Sequence, residues 1–312
     1  MTNRRWFDVA LGVANAGFVG VLDKLTVSPV RAYSTRKLRA AYSGNAIRVR
    51  RSSDNAEADI GFTPSGDLDE TALLAHVGAG DGFIRTWYDQ STLGLDAFEP
   101  TAANQPRIVS SGTIDKKNSR PTIVRLSSNT ELQITTTNLL NNVSASSINA
   151  VAFYPSSPSF NLNAFLVHVG IGTSNVIRFG LTPNASSAPS NRLAVAFRRL
   201  DADPYTTEAS STHSNTTAAG ALFVETGIID HSTALTSHYF NNVQDLAPTG
   251  TGLGTGTTSS TDPFSAGLFS RPPLPLTVPT DSTISEAIIF EVALGLTDRN
   301  TLETNQIAYY GI

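Results

Sequence analysis

From Phe83 onward the chain alternates short apolar runs with turn signals: Phe83 to Tyr88, Thr122 to Leu126, Ser147 to Tyr154, Ala164 to Ile171, Val176 to Gly180, Arg192 to Leu200, Ala221 to Ile229, Leu235 to Phe240, and Thr283 to Leu294. Runs of this length, bounded by Gly, Pro, Asn and Ser, read as half-buried strands, and many of them in succession read as a sandwich or barrel, not as βαβ units. Upstream, Ala46 to Arg51 alternates, with Ile47 and Val49 on one face and Arg48 and Arg50 on the other. Ser34 is placed to cap a short helix through Arg36 and Leu38 to Tyr42, which Gly44 would end, and a second short helix is expected over Asp69 to His76. Pro248 to Thr261 reads as a Gly/Thr surface loop, and Arg271 to Pro275 as extended, polyproline-like chain. With no internal repeat and no linker after residue 30, the pattern gives an N-terminal arm, 1–30, and one β-sandwich, 31–312.

The arm carries an uncharged run of 14 residues, Val9 to Leu22, between Asp8 and Asp23. It falls short of the roughly 20 apolar residues that a helix needs to span a bilayer, so no membrane span is expected. Arg4 and Arg5 ahead of it invite a signal-peptide reading, which Asp8 interrupts. Gly12, Gly17 and Gly20 each cost about 1 kcal/mol in a free helix, so the segment needs a surface to order against. Trp6, Phe7, Leu11, Phe18 and Leu22 are therefore expected to dock on partner subunits; the alternative is packing on the chain's own domain.

Composition agrees with the pattern. Of 312 residues, 33 are Ser and 36 Thr, only 15% are charged, and 23 Gly with 16 Pro supply turns, which is an all-β balance. The absence of cysteine excludes a disulfide scaffold and a thiol nucleophile. A net charge of -4 argues against nucleic acid as a partner. Seven basic residues stand between Arg31 and Arg51, but Asp54, Glu57 and Asp59 follow at once, so internal ion pairs are expected there.

Residues 32 to 62 (AYSTRKLRAAYSGNAIRVRRSSDNAEADIGF), GDGFIRTWYDQS at 80 to 91 and ANQPRIV at 103 to 109 resemble the N-terminal part of the arabinofuranosidase B catalytic domain. They are also similar to laminin-G-like or concanavalin-like modules of phage structural proteins. The ending, ISEAIIFEVALGLTDRNTLETNQIAYYGI, resembles the closing strand and short helix of those modules, and Ser237 to Asn242 resembles their aromatic strand and tight turn. The resemblance implies an all-β, concanavalin-like jelly-roll sandwich with a few short helices. The chain departs from the arabinofuranosidase pattern in its second half, where that family's disulfides and active-site surroundings would lie.

A glycosidase needs two carboxyl groups about 5 Å apart, or about 6.5–9.5 Å apart, at one cleft. Glu225 and Asp230 share one expected strand and Glu286 and Glu291 another, each pair five residues apart and so on opposite faces; Asp89 reads as a turn former. Glu225 and Glu291 remain the weak catalytic candidates. The five histidines show no zinc spacing and no EF-hand loop is present, so no metal or other cofactor is assigned, although loop Asp and Asn oxygens leave room for calcium.

The expectation is thus a phage virion protein (fibre, spike, tail or capsid decoration), located in the virion. Its arm would dock on other virion proteins, as a homo-oligomer and in the resemblance a trimer, and its sandwich would face cell-surface glycans. Sugar would stack on Tyr88, Tyr205 or Tyr239, whereas Trp87 reads as core. The alternative is a secreted, extracellular arabinofuranosidase-like glycoside hydrolase.

Overall fold

The computed structural model describes residues 17–127, 129–135, 139–155, 166–169, 179–182, 192–200, 203, 206–214, 220–249, 254–259, 265–269 and 279–312. The described strands are β1 (Arg31–Ser34), β2 (Ile47–Arg51), β3 (Glu57–Ile60), β4 (Gly82–Trp87), β5 (Ala97–Phe98), β6 (Arg107–Ser110), β7 (Thr113–Ile114), β8 (Lys116–Lys117), β9 (Arg120–Pro121), β10 (Ile123–Val124) and β11 (Leu132–Thr135). They continue with β12 (Ala145–Phe153), β13 (Val167–Val169), β14 (Phe179–Thr182), β15 (Arg192–Phe197), β16 (Thr206–Ser214), β17 (Leu222–Asp230), β18 (Leu235–Phe240), β19 (Val243–Thr249), β20 (Ser265–Leu268) and β21 (Thr283–Phe290). Two helices accompany them, α1 (Glu70–Val77) and α2 (Leu296–Tyr310).

The named strands among the described residues pair antiparallel, and their order gives two layers. The front layer runs β3-β2-β4-β5-β11-β20-β13-β14-β15-β16. The back layer runs β1-β21-β12-β17-β18-β19, and β6 and β10 join the two. The period of two sends alternate residues inward. Ile47, Val49, Ile84, Leu132, Val167, Leu181 and Val195 from the front meet Ile148, Ala150, Phe223, Ile284 and Ile289 from the back in one buried cluster, with Trp87 among them. This is the all-β sandwich that the pattern of apolar runs predicts, of the jelly-roll class that the resemblance implies.

The back sheet also has a covered outer face, because α2 lies across it. Leu302 joins Ala32, Ile228, Ile288 and Phe290 there in a second buried cluster. Gly295 precedes the helix, and Gly311, in the left-handed region at φ 67°, ends it by donating its backbone N–H to Ile307 O. Beneath the helix Arg36 is paired with Glu286 at 2.8 Å, and Gln306 Nε2 donates to Glu286 Oε1 at 2.8 Å and to Asn149 Oδ1 at 2.5 Å. Tyr310 Oη completes the set on Glu286 Oε2 at 3.2 Å.

One expected element is replaced. The helix over Arg36 to Tyr42 does not form: Arg31–Ser34 is a strand on β21, and Arg36 makes an isolated bridge to Asp67. Leu38 N donates to Gln90 Oε1 and Leu38 O accepts from Leu22 N, so distant partners take the backbone groups that a helix would have used. The expected Pro248 to Thr261 loop is also entered by β19, which runs to Thr249. The short helix after residue 68 does form, with the Asp69 side chain accepting from Ala72 N. Among the described residues, no helix is long and apolar enough to cross a membrane.

Trp6, Phe7 and Leu11 lie outside the described residues. Leu22 is buried in the cluster under α2, Thr26 donates from N and Oγ1 to the Asp298 carboxylate, and Phe18 packs over Gly66. Residues 17–27 are thus held on the chain's own domain, and Phe18 and Leu22 spend their apolar surface there. The Pro-rich Arg271 to Pro275 also lies outside the described residues.

Candidate functional site

The outer face of the front layer carries a row of residues in direct cross-strand register: Asp59, Arg48, Thr86, Phe98, Gln133, Gly267, His168, Gly180 and Ala196. One end is charged and aromatic, whereas the other is made of small residues. A glycine within a strand marks a close approach by another group. At Gly267 that group is His168, whose Cε1 would lie 2.7 Å from an added Cβ.

A groove of 230 Å³ opens at the charged end, lined by Arg48, Glu57, Arg85, Thr86, Asp96 and Phe98. Arg48 grips Asp59 with two hydrogen bonds, Nε to Oδ1 at 2.8 Å and Nη2 to Oδ2 at 3.0 Å, and the Tyr88 phenol donates to the same Oδ1 at 2.6 Å. These bonds hold the Asp59 carboxyl below its ordinary value, while burial and the Asp59 hydrogen bond raise the Tyr88 phenol. Arg85 faces Glu57 at 3.6 Å. Asp96 is half-buried; Asp89 N donates to its Oδ1 at 2.9 Å, and desolvation outweighs that bond and raises its carboxyl.

The loop behind this groove is organised by Asp89, as the turn-former reading expects. Its carboxylate accepts from Ala32 N, Ser91 N, Ser91 Oγ and Leu95 N at 2.6–3.1 Å. It therefore ties β1 to the turn that delivers Asp96. Three of the seven basic residues between Arg31 and Arg51 are held in ion pairs, Arg36–Glu286, Arg48–Asp59 and Arg51–Asp54.

The two catalytic candidates do not meet. Glu225 is fully buried on the core side of β17 and its Oε1 is 2.9 Å from His238 Nε2. Glu291 lies past the end of β21 and accepts from Leu140 N at 3.2 Å. Glu225 pairs through Ala150 to Ala287, so Glu291 is two strands and four residues away, roughly 17 Å between Cα atoms. Glu286 is committed to Arg36, and Asp230 holds the Ser232 turn. Neither forms a carboxyl pair with its strand neighbour.

Of the sugar-stacking candidates, Tyr88 borders the groove through Asp59. Tyr239 is half-buried in the cluster under α2, with the Arg299 guanidinium 3.7 Å from its ring centroid, so that ring already has a partner. Tyr205 lies outside the described residues. Trp87 is fully buried in the core. Among the described residues, no group of three or more His, Asp and Glu side chains is gathered as for a metal ion. The groove is legible in the sequence only in part, through Tyr88 and the alternation of Arg48 and Arg50 against Ile47 and Val49, because its lining residues come from four strands and a turn.

No protein-family model matches the chain, and no curated protein matches it either. Solved structures do. An arabinofuranosidase complexed with arabinofuranosyl-α-1,2-xylobiose is similar at a TM-score of 0.61 and 14% identity, over 92% of this chain and 64% of that one. An α-L-arabinofuranosidase of glycoside hydrolase family 54, soaked with a cyclic sulfate inhibitor, is similar at 0.53 and 14% identity, over 90% and 62%. The binding domain of Paraclostridial Mosquitocidal Protein 1 is similar at 0.50 and 12% identity, over 71% and 50%. The chain thus spans less than two thirds of the length of the arabinofuranosidases. At these identities the likeness is one of fold.

Proposed function

We propose that the chain is a non-catalytic, glycan-binding β-sandwich displayed on a larger assembly, the virion that the laminin-G-like resemblance implies, and that the front groove is its sugar subsite. The observation that carries this reading is the mixture of groups at one small opening. Arg48 and Arg85 offer fixed donors, Glu57 and Asp96 offer acceptors, and Phe98 offers an apolar face. Sugar hydroxyls both donate and accept, and ring C–H groups stack on aromatic carbon, so such a mixture matches sugar.

Catalysis is disfavoured by spacing. Glu57 and Asp96 stand three strands and four residues apart in register, roughly 20 Å between Cα atoms. Side chains leaning toward each other still leave the carboxyls beyond the ~9.5 Å limit of an inverting pair. The arabinofuranosidase-like fold supports a second reading, a glycoside hydrolase. A glycan array with wild-type protein and Arg48→Gln separates the outcomes: a discrete glycan set lost in the variant supports the groove, and no bound glycan at high protein concentration removes it.

A further inference from the structure

A second opening lies on the opposite side of the sandwich, where α2 stops short of the sheet edge. Val124, Thr283, Phe153 and Leu222 form a cross-strand row over β10, β21, β12 and β17. Two adjoining openings follow this row. One, of 230 Å³, is lined by Arg107, Asp115, Lys117, Asp281 and Thr283 among others; the second, of 610 Å³, by Lys117, Asn118, Phe153, Leu222, Asn241 and Ile312 among others. Lys117 belongs to both walls and so makes them one cleft.

The groups in this cleft are incompletely satisfied. Arg107 is bound to Asp115 at 2.8 and 3.1 Å, and Lys116 to Glu70 at 2.7 Å. Lys117 has no carboxylate within ion-pair distance among the described residues; its ammonium instead lies 3.5 Å from the centroid of the Phe153 ring. Thr283 is buried, and its hydroxyl has no hydrogen-bond partner among the described residues. Asn241 Oδ1 accepts from Val224 N at 2.8 Å, which leaves the amide N–H groups of Asn241 to a ligand.

We infer that this cleft binds a carboxylate-bearing sugar, with Lys117 taking the carboxylate, Leu222 and Ile312 the apolar flank of the ring, and Asn118 Oδ1 and the Asn241 amide its hydroxyls. A half-buried ammonium with no carboxylate in direct contact gains from an anion, and the apolar and amide groups select a sugar over a bare ion. Burial lowers the Lys117 ammonium from its ordinary value, and the charges of Asp281 and Asp115 offset that only in part. Asp115 is neutralised by Arg107, and Asp281 at the rim is exposed to solvent.

The inference extends the glycan-binding reading to a second face and a different sugar class. The test is titration calorimetry of the full chain with trigalacturonate and with neutral galactotriose. Trigalacturonate is expected to bind at least tenfold more tightly than galactotriose, to weaken at least tenfold in Lys117→Gln, and to recover in Lys117→Arg. Equal binding of the two sugars, unchanged binding in Lys117→Gln, or no trigalacturonate binding would overturn it. Arg48→Gln keeps the two sites apart. Loss of galactotriose binding alone in that variant leaves this inference standing, whereas loss of trigalacturonate binding in Arg48→Gln with none in Lys117→Gln would move the acid site to the front groove.

Discussion

His238 is clamped between two carboxylates in the sandwich interior, with Nε2 2.9 Å from Glu225 Oε1 and Nδ1 3.2 Å from Asp245 Oδ2, all three side chains without exposure. The cluster bridges β17, β18 and β19 on the core face, where Phe223 stacks on Phe240 at 5.3 Å. Removing one member leaves the others buried and uncompensated. His238→Ala is expected to cost about 3–5 kcal/mol in urea unfolding, with Glu225→Gln less damaging because the amide can still accept from the ring. Equal stability of His238→Ala and wild type would contradict the clamp.

The same cluster sets a pH dependence. The two carboxylates raise His238 from 6.5 to about 9 despite its burial. A group whose folded value is raised holds more protons folded than unfolded, so its contribution is complete below about 6.5 and lost as pH climbs toward about 9. Burial also raises Glu225, which has the same sign in its own, lower range. Stability should therefore fall by up to about 3 kcal/mol between pH 6.5 and 9, and the fall should flatten in His238→Gln. A flat wild-type profile over that interval would count against a charged His238.

The turn behind the front groove offers a prediction that couples stability to binding. Asp89→Ala removes four acceptor contacts, to Ala32 N, Ser91 N, Ser91 Oγ and Leu95 N, and should cost about 1–3 kcal/mol for the buried donors left behind. It should also weaken sugar binding without touching the sugar, since the Asp89 carboxylate holds Leu95 N, the backbone group next to Asp96. Thermal unfolding and calorimetry on one sample would show both losses, and a stability loss with unaltered affinity would detach the turn from the groove.

Under α2, Glu286 accepts from Arg36, Gln306, Ser34 and Tyr310. Glu286→Ala strands the Arg36 guanidinium beneath the helix and should cost about 3–5 kcal/mol. Hydrogen exchange should show α2 loosening before the β12–β17 pairing does.

The strands were legible in the sequence wherever one face was apolar, as at Ile47/Val49 against Arg48/Arg50 and in Leu235 to Phe240. Those missed were of two kinds. Strands such as Leu132–Thr135 and Val243–Thr249 carry too little apolar alternation to stand out, and two-residue strands such as Ala97–Phe98 exist only through their partners. The region around Leu38 misled because Ser34 and Gly44 are helix-boundary residues locally, while Gln90 and Leu22, far away in sequence, claim the backbone. The front groove was legible only in part, through Tyr88 and the basic run, because the Arg48–Thr86–Phe98 row is a property of register. Glu225 stood as a weak catalytic candidate because nothing in its strand announces His238 as its partner.

The central claim is that the front groove binds sugar and does not cleave it. Calorimetry of the wild-type chain and of Arg48→Gln, Asp96→Asn and Glu225→Gln with an arabinoxylan oligosaccharide, followed by analysis of the recovered sugar, tests both halves in one experiment. The account predicts saturable binding to wild type and Glu225→Gln, at least tenfold weaker binding to Arg48→Gln and Asp96→Asn, and intact oligosaccharide throughout. Release of arabinose by wild type, abolished in Glu225→Gln, would contradict it.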